Sequence, residues 1–138
     1  MIGIKKIPLQ KIKNEKGNIL KFLSKKNSFF KKFGEIYFSE INYKKTKGWN
    51  YHSKCKCHLS VISGKVCFHF LKKKNNKFFS KKIILSKNNY SMIIVSPKIF
   101  ISFKGLKKNN TVVNFLEIPH NPYESKKFKS VNKIQIKD

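Results

Sequence analysis

HLSVISGKVCFHF, residues 58–70, sets two runs of β-branched and aromatic residues on either side of Ser63-Gly64. Such residues suit a pleated, half-buried surface. Two of these runs around a two-residue Ser-Gly link predict a β-hairpin. In the second run Val66, Phe68 and Phe70 alternate with Lys65, Cys67 and His69, so the pleat sends the apolar set to one face. The pattern continues outward on both sides. EIYFSEI (35–41) alternates, with Ile36, Phe38 and Ile41 nearly in step. KKIILS (81–86), YSMIIVS (90–96), IFISF (99–103) and TVVNFLEI (111–118) follow, each bounded by Lys/Asn, Gly or Pro. KKKNNK (72–77) and KKNN (107–110) predict loop tips, whose lysines also blunt edge pairing. Helical periodicity hardly occurs. Many short strands at spacings of roughly 8–12 residues predict an all-β sandwich or barrel. The length of 138 residues fits one domain. The polar, basic stretch 125–138 predicts a tail beyond a domain of residues 1–124.

The net charge is +26, and all 32 basic residues are Lys. Arg and Ala do not occur, while Lys, Asn, Ile and Phe dominate. These are residues of AT-rich codons, so base composition can enrich Lys without selection for phosphate binding. Readers of nucleic-acid sequence lean on the planar fork of Arg. The charge therefore predicts a solvated Lys-rich surface and no specific nucleic-acid partner. The same field suits a smaller anion such as a nucleotide diphosphate. Three Cys exclude a full disulfide framework. No stretch approaches the roughly 18 apolar residues of a membrane span, and the first residues lack an apolar signal core. A cytoplasmic setting with reduced thiols is the expectation.

GWNYHSKCKCH (48–58) concentrates the lone Trp, two His and two Cys. Cys55 and Cys57 with His52 and His58 have zinc-ligand types. In a strand, however, the two Cys share one face and His58 lies on the other. No second Cys pair completes a structural site, and neighbouring lysines repel a dication. No metal is expected, and Cys55, Cys57 and Cys67 read as small strand residues. A nucleophilic Cys would need an orienting partner that the sequence does not identify. A His beside a Lys inside a β-barrel could instead abstract a proton next to a carbonyl.

Four segments taken together carry a resemblance: NEKGNILKFL, FGEIYFSEINYKKTKGWNYHSK, LSVISGKVCFHF and NFLEIPHNPYE. In order and spacing they resemble the dTDP-4-dehydrorhamnose 3,5-epimerase family, in particular its short sugar-epimerase relatives. The resemblance spans residues 7–124. It implies a cupin-type jelly roll, two packed antiparallel sheets forming a small open barrel, and a homodimer. It also implies proton abstraction and return α to the C4 ketone of a nucleotide-linked 4-keto-6-deoxy sugar, without metal or organic cofactor.

The resemblance assigns residues one by one. Asn14-Glu15-Lys16-Gly17 matches the family's acidic-x-Arg-Gly turn, which puts Lys16 in place to meet the pyrophosphate. Glu35 matches a position facing the sugar. Lys47 stands where the family has another Arg. The family's base is a His directly after the Gly-hydrophobic pair, and here Asn50 stands there. An amide is no general base near neutral pH. The second His of the short relatives is present as His52, on the same strand face as residue 50, one pleat or about 7 Å along. His52 is therefore the expected acid/base. Asn50 and His58 are expected to line the sugar pocket, with Lys54 attracting the diphosphate. Asn114 falls where the longer epimerases carry an acidic Tyr, which leaves His120 and Tyr123 as proton donors. The only Asp is Asp138, so Glu35 or Glu117 would have to supply the carboxylate behind the base. The implied function is a nucleotide-sugar epimerase of surface-polysaccharide biosynthesis. The alternatives are a 3,4-ketoisomerase on the same fold, a catalytically degenerate sugar- or partner-binding cupin, and a salt-sensitive polyanion binder.

Overall fold

The computed structural model describes residues 1–127. The chain begins with β1 (Ile4–Pro8) and a small ribbon of β2 (Lys11–Ile12) and β3 (Ile19–Leu20). After the irregular segment 21–34 come β4 (Glu35–Asn42), β5 (Thr46–His52), β6 (Cys57–Ser63) and β7 (Lys65–Lys74). Then follow β8 (Lys77–Ser86), β9 (Ser91–Val95), β10 (Phe100–Gly105), β11 (Asn109–Leu116) and β12 (Ser125–Lys127). Two five-stranded sheets form, ordered β1-β9-β6-β11-β4 and β12-β5-β10-β7-β8. Every strand pairing is antiparallel. No helix occurs among the described residues. This is the jelly roll expected from the strand spacing and the resemblance: two sheets face to face, open at one end.

The opening stretch does not form the hairpin its sequence predicts. β6 pairs with β9 and β11 in the first sheet, whereas β7 pairs with β8 and β10 in the second. The chain turns a corner between the sheets at Gly64. Side-by-side pairing would leave both apolar faces on one sheet, whereas the corner sets them against each other across the core. Gly64 has φ +78°, and a Cβ there would lie 2.2 Å from the Asn109 carbonyl oxygen. Asn110, 2 % exposed, staples the corner. Its Oδ1 accepts from the N–H groups of Lys65 and Lys107. Its Nδ2 donates to the carbonyls of Ile41 and Lys107. The true hairpin lies one strand later. Asn75 and Asn76 link β7 to β8, both at positive φ (51° and 59°). That is the twist a two-residue hairpin needs, and Asn tolerates it better than most residues. The loop tip expected over 72–77 thus narrows to two residues, and Lys72–Lys74 belong to β7.

Val61, Val66, Phe68, Phe70, Leu85 and Val112 form the centre of the core. Each Phe buried here contributes about 1.5–3 kcal/mol relative to exposure. The interior changes character along the strands. On β11, Val112 is core, whereas Asn114 donates a hydrogen bond to the Tyr37 hydroxyl beside the cavity. On β4, Ile41 is buried, whereas Ser39, Tyr37 and Glu35 line a cavity. This corrects the phase read for EIYFSEI: Ile36 and Phe38 point outward, Phe38 being 63 % exposed. The alternation is real, but at this end of the barrel the inside is the polar side. The expected boundary at Glu124 is followed directly by β12, paired with β5 from Ser125↔His52 to Lys127↔Asn50. The rest of the expected tail, including Asp138, lies outside the described residues.

Candidate functional site

The open end of the barrel holds a cavity of about 560 Å³, within the usual range for small-molecule sites. β4 contributes Glu35, Tyr37 and Ser39, β5 contributes Lys47, Asn50 and His52, and the segment after β11 contributes His120, Glu124 and Lys127. Asn50 and His52 share the inward face of β5, as the pleat dictates.

His52 Nδ1 lies 2.9 Å from Glu124 Oε2. Glu124 is 6 % exposed, and its other oxygen accepts from the backbone N–H groups of Cys55 (2.9 Å) and Lys54 (3.2 Å). Burial alone would raise the Glu124 carboxyl. The hydrogen bonds from His52, Cys55 and Lys54 outweigh it and hold the group below its ordinary value. A carboxylate only accepts, so His52 carries its proton on Nδ1. In the neutral ring Nε2 is then the bare nitrogen. A buried acceptor fixing the tautomer of an imidazole base is the arrangement that general-base catalysis uses.

Glu124 reaches His52 through a turn. Asn121 accepts from the backbone N–H groups of Glu124 and Ser125, and its side chain accepts from Tyr123 N–H. Pro122 at the second position suits such a turn. The carboxylate behind the base is therefore neither Glu35 nor Glu117. Glu35 Oε2 instead accepts from His120 N–H at 3.0 Å, tying the mouth of the cavity to β4.

Tyr37 sits directly across the strands from Asn114. Its hydroxyl oxygen accepts from Asn114 Nδ2 at 3.0 Å, so the phenolic proton is free to be given to something else. Burial pushes its pKa up, with the Asn114 hydrogen bond opposing. Asn114 stands where the resemblance implies an acidic Tyr, and the neighbouring strand brings a phenol to its side. Lys47 donates to Ser39 Oγ at 3.0 Å. With Lys127 it supplies the cationic edge of the cavity.

Other expected residues lie elsewhere. Lys16 sits in the turn of the β2–β3 ribbon, where its N–H donates to Asn14 Oδ1, and it does not line the cavity. Lys54 is exposed, and only its backbone serves the site, through Glu124. His58 faces away from the cavity because Cys57 and Leu59 take the inward positions of β6. It is fully buried against Phe29 and Phe115, and its Nδ1 donates to the Phe115 carbonyl at 3.0 Å. Burial pushes its pKa down, with the positive charge of Lys56 adding to that. The folded value thus lies below the unfolded value of about 6.5. Its neutral form contributes full stability above that pH, and stability falls as pH drops below it toward the folded value. Acid titration of the melting temperature should show this loss below about pH 6.5, and His58→Gln should flatten it. An unchanged profile would remove His58 as the cause.

Cys55 and Cys57 are buried, and burial raises both thiol pKa values. They remain protonated, which does not suit a nucleophile. Reasoning from sequence missed Tyr37, Glu124 and Lys127. The Asn121-Pro122 turn was the one local signal for Glu124. Tyr37 is recognisable only once the register with Asn114 is known.

No protein-family model and no curated protein matches the chain. Solved structures do. A dTDP sugar isomerase from Desulfovibrio desulfuricans G20 superposes with a TM-score of 0.88 at 26 % identity, covering 95 % of this chain and 87 % of that one. A dTDP-6-deoxy-D-glucose-3,5-epimerase from Legionella pneumophila, in complex with dTDP-4-keto-L-rhamnose, gives 0.80 at 15 % identity over 95 % and 75 %. A sugar 3,4-ketoisomerase from Thermoanaerobacterium thermosaccharolyticum, in complex with TDP, gives 0.78 at 14 % identity over 94 % and 90 %. This chain thus shares the jelly roll of these structures across nearly its whole length, and it is similar to a dTDP sugar isomerase.

Proposed function

We propose that this protein is a nucleotide-sugar isomerase of the 3,5-epimerase type. The substrate is a dTDP-4-keto-6-deoxy sugar. The observation that carries the reading is the His52–Glu124 pair at the floor of a cavity with Tyr37 and Lys47 on its walls. His52 Nε2 removes the proton α to the C4 ketone, and Glu124 stabilises the imidazolium that forms. The resulting enolate oxygen needs a hydrogen-bond donor or a positive charge, which Asn50, Lys47 or Tyr37 can provide. Tyr37, kept protonated by burial, is the proton donor that replaces the family's usual Tyr. Lys47 and Lys127 hold the diphosphate as point charges, without the fork of Arg. His120 borders the sugar at the mouth.

The chemistry runs without a metal or an organic cofactor: a base, an acid and oxyanion stabilisation suffice. Its setting is surface-polysaccharide biosynthesis in the cytoplasm, where three free thiols suit reducing conditions. A homodimer fits the outer face of β4, where Ile36, Phe38 and nearby Phe33 and Tyr43 are exposed. Lys16 would then enter a site only as the contribution of a second copy.

Proton exchange tests the reading. Candidate dTDP-4-keto-6-deoxy sugars incubated with the protein in heavy water should gain deuterium at C3, C5 or both. Tight binding without any exchange would leave a sugar-binding cupin, the reading that Asn50 at the usual base position favours. Movement of the carbonyl to C3 in the product would make the protein a 3,4-ketoisomerase instead.

A further inference from the structure

We propose that His52, Cys55 and Glu124 form a binding site for one divalent cation of the zinc class, and that its binding switches off the base. The three side chains each offer one ligand atom, and these atoms all lie within 4.8 Å of one another. Among the described residues no other such group occurs. An imidazole nitrogen, a thiolate sulfur and a carboxylate oxygen are the donor set that zinc takes, with bonds of about 2.0–2.3 Å. Tetrahedral bonds of that length put ligand atoms about 3.3–3.7 Å apart, so side-chain adjustments of about 1 Å close the site.

The surroundings favour this arrangement. Glu124 keeps Oε1 on the two backbone N–H groups, so part of its outer shell is already built, and Oε2, which accepts from His52 Nδ1, becomes a ligand when that proton leaves. Thiolate and carboxylate together neutralise the dication, which counters the lysine field. A water or a substrate oxygen would complete the tetrahedron as fourth ligand. Other candidate ligands are committed elsewhere: His58 Nδ1 to the Phe115 carbonyl, and Cys57 to the barrel interior.

Binding has a defined proton balance. Cys55 loses its thiol proton to solvent. His52 exchanges the Nδ1 proton for the metal and takes a proton on Nε2. That nitrogen then donates and no longer accepts, so it cannot abstract a proton from a sugar. The proposed inhibition rests on the role given to His52, whereas the binding does not.

Cobalt(II) titration of the metal-free full chain tests the binding without substrate. One equivalent should give a thiolate-to-cobalt charge-transfer band and the intense visible bands of four-coordinate cobalt, and zinc should abolish both. Cys55→Ser should lose the charge-transfer band and Cys67→Ser should keep it. No such band in the unmodified protein, or its survival in Cys55→Ser, overturns the proposal. Should Cys55→Ser fail to fold, X-ray absorption of the zinc-loaded protein decides. One sulfur with nitrogen and oxygen neighbours supports the site, and zero or two sulfurs overturns it. In protein that catalyses exchange, one equivalent of zinc should abolish exchange and a chelator should restore it. Exchange that persists with zinc bound at this site overturns the switch. Metal binding in a protein that shows no exchange on any sugar would leave the site standing and remove the isomerase reading.

Discussion

His52→Ala should abolish deuterium incorporation into a dTDP-4-keto-6-deoxy sugar while leaving nucleotide binding within a few-fold of its starting value. A positioned general base typically contributes about 10²–10⁴ in rate, and neither Asn50 nor His58 can stand in. Asn50, at the position of the family's usual base, has no basic nitrogen. His58 is buried behind Phe115, on the other side of β6. The diphosphate would still meet Lys47 and Lys127, which line the same cavity. The check is a pair of measurements: exchange by NMR and dTDP affinity by calorimetry. Full exchange in the variant would show that another group takes the proton. Loss of affinity in step with loss of exchange would show that His52 holds the ligand rather than reacting with it.

Glu124→Gln should lower turnover nearly as far, for a reason that the hydrogen bonds dictate. The two backbone N–H groups of Lys54 and Cys55 need an acceptor, so the amide oxygen takes the Oε1 place. The amide nitrogen must then face His52 Nδ1 and donate to it. Nδ1 becomes an acceptor, the ring proton moves to Nε2, and the base meets the sugar with its lone pair occupied. A forced wrong tautomer is worth about 10⁴ in kcat where it has been measured in triad enzymes. The fold should tolerate the change, because every hydrogen bond keeps a partner. Glu124→Ala, by contrast, strands those buried donors and should cost about 1–3 kcal/mol. Melting temperatures and kcat measured together separate the two effects. A Gln variant with unchanged kcat would mean that the carboxylate only anchors the turn.

Much of this was legible beforehand, and what was not has physical reasons. The alternation in KVCFHF survives because both neighbours of β7 belong to one sheet and its inward face meets core along its whole length. EIYFSEI was read in the wrong phase because that rule assumes an apolar inside, and β4 faces a wet cavity. Ser63-Gly64 has the composition of a hairpin turn, yet a corner between sheets asks the same of its residues: positive φ and no Cβ. Only the partners of β6 and β7 tell the two apart, and those lie far off in sequence. His52 could be nominated as the base because it is separated from its landmark Gly48-Trp49 by fixed strand geometry. Its carboxylate was missed because no periodicity links residue 52 to residue 124.

That separation also orders events in time. His52 leaves the ribosome 72 residues ahead of the carboxylate that orients it. A nascent chain can pair most of both sheets and still present an imidazole with no fixed tautomer. The last described strand, β12, laid beside β5, is what turns a folded barrel into a poised one. Under the proposed mechanism, the barrel can therefore form before its base is oriented, because the orienting carboxylate is placed by the last of the described residues.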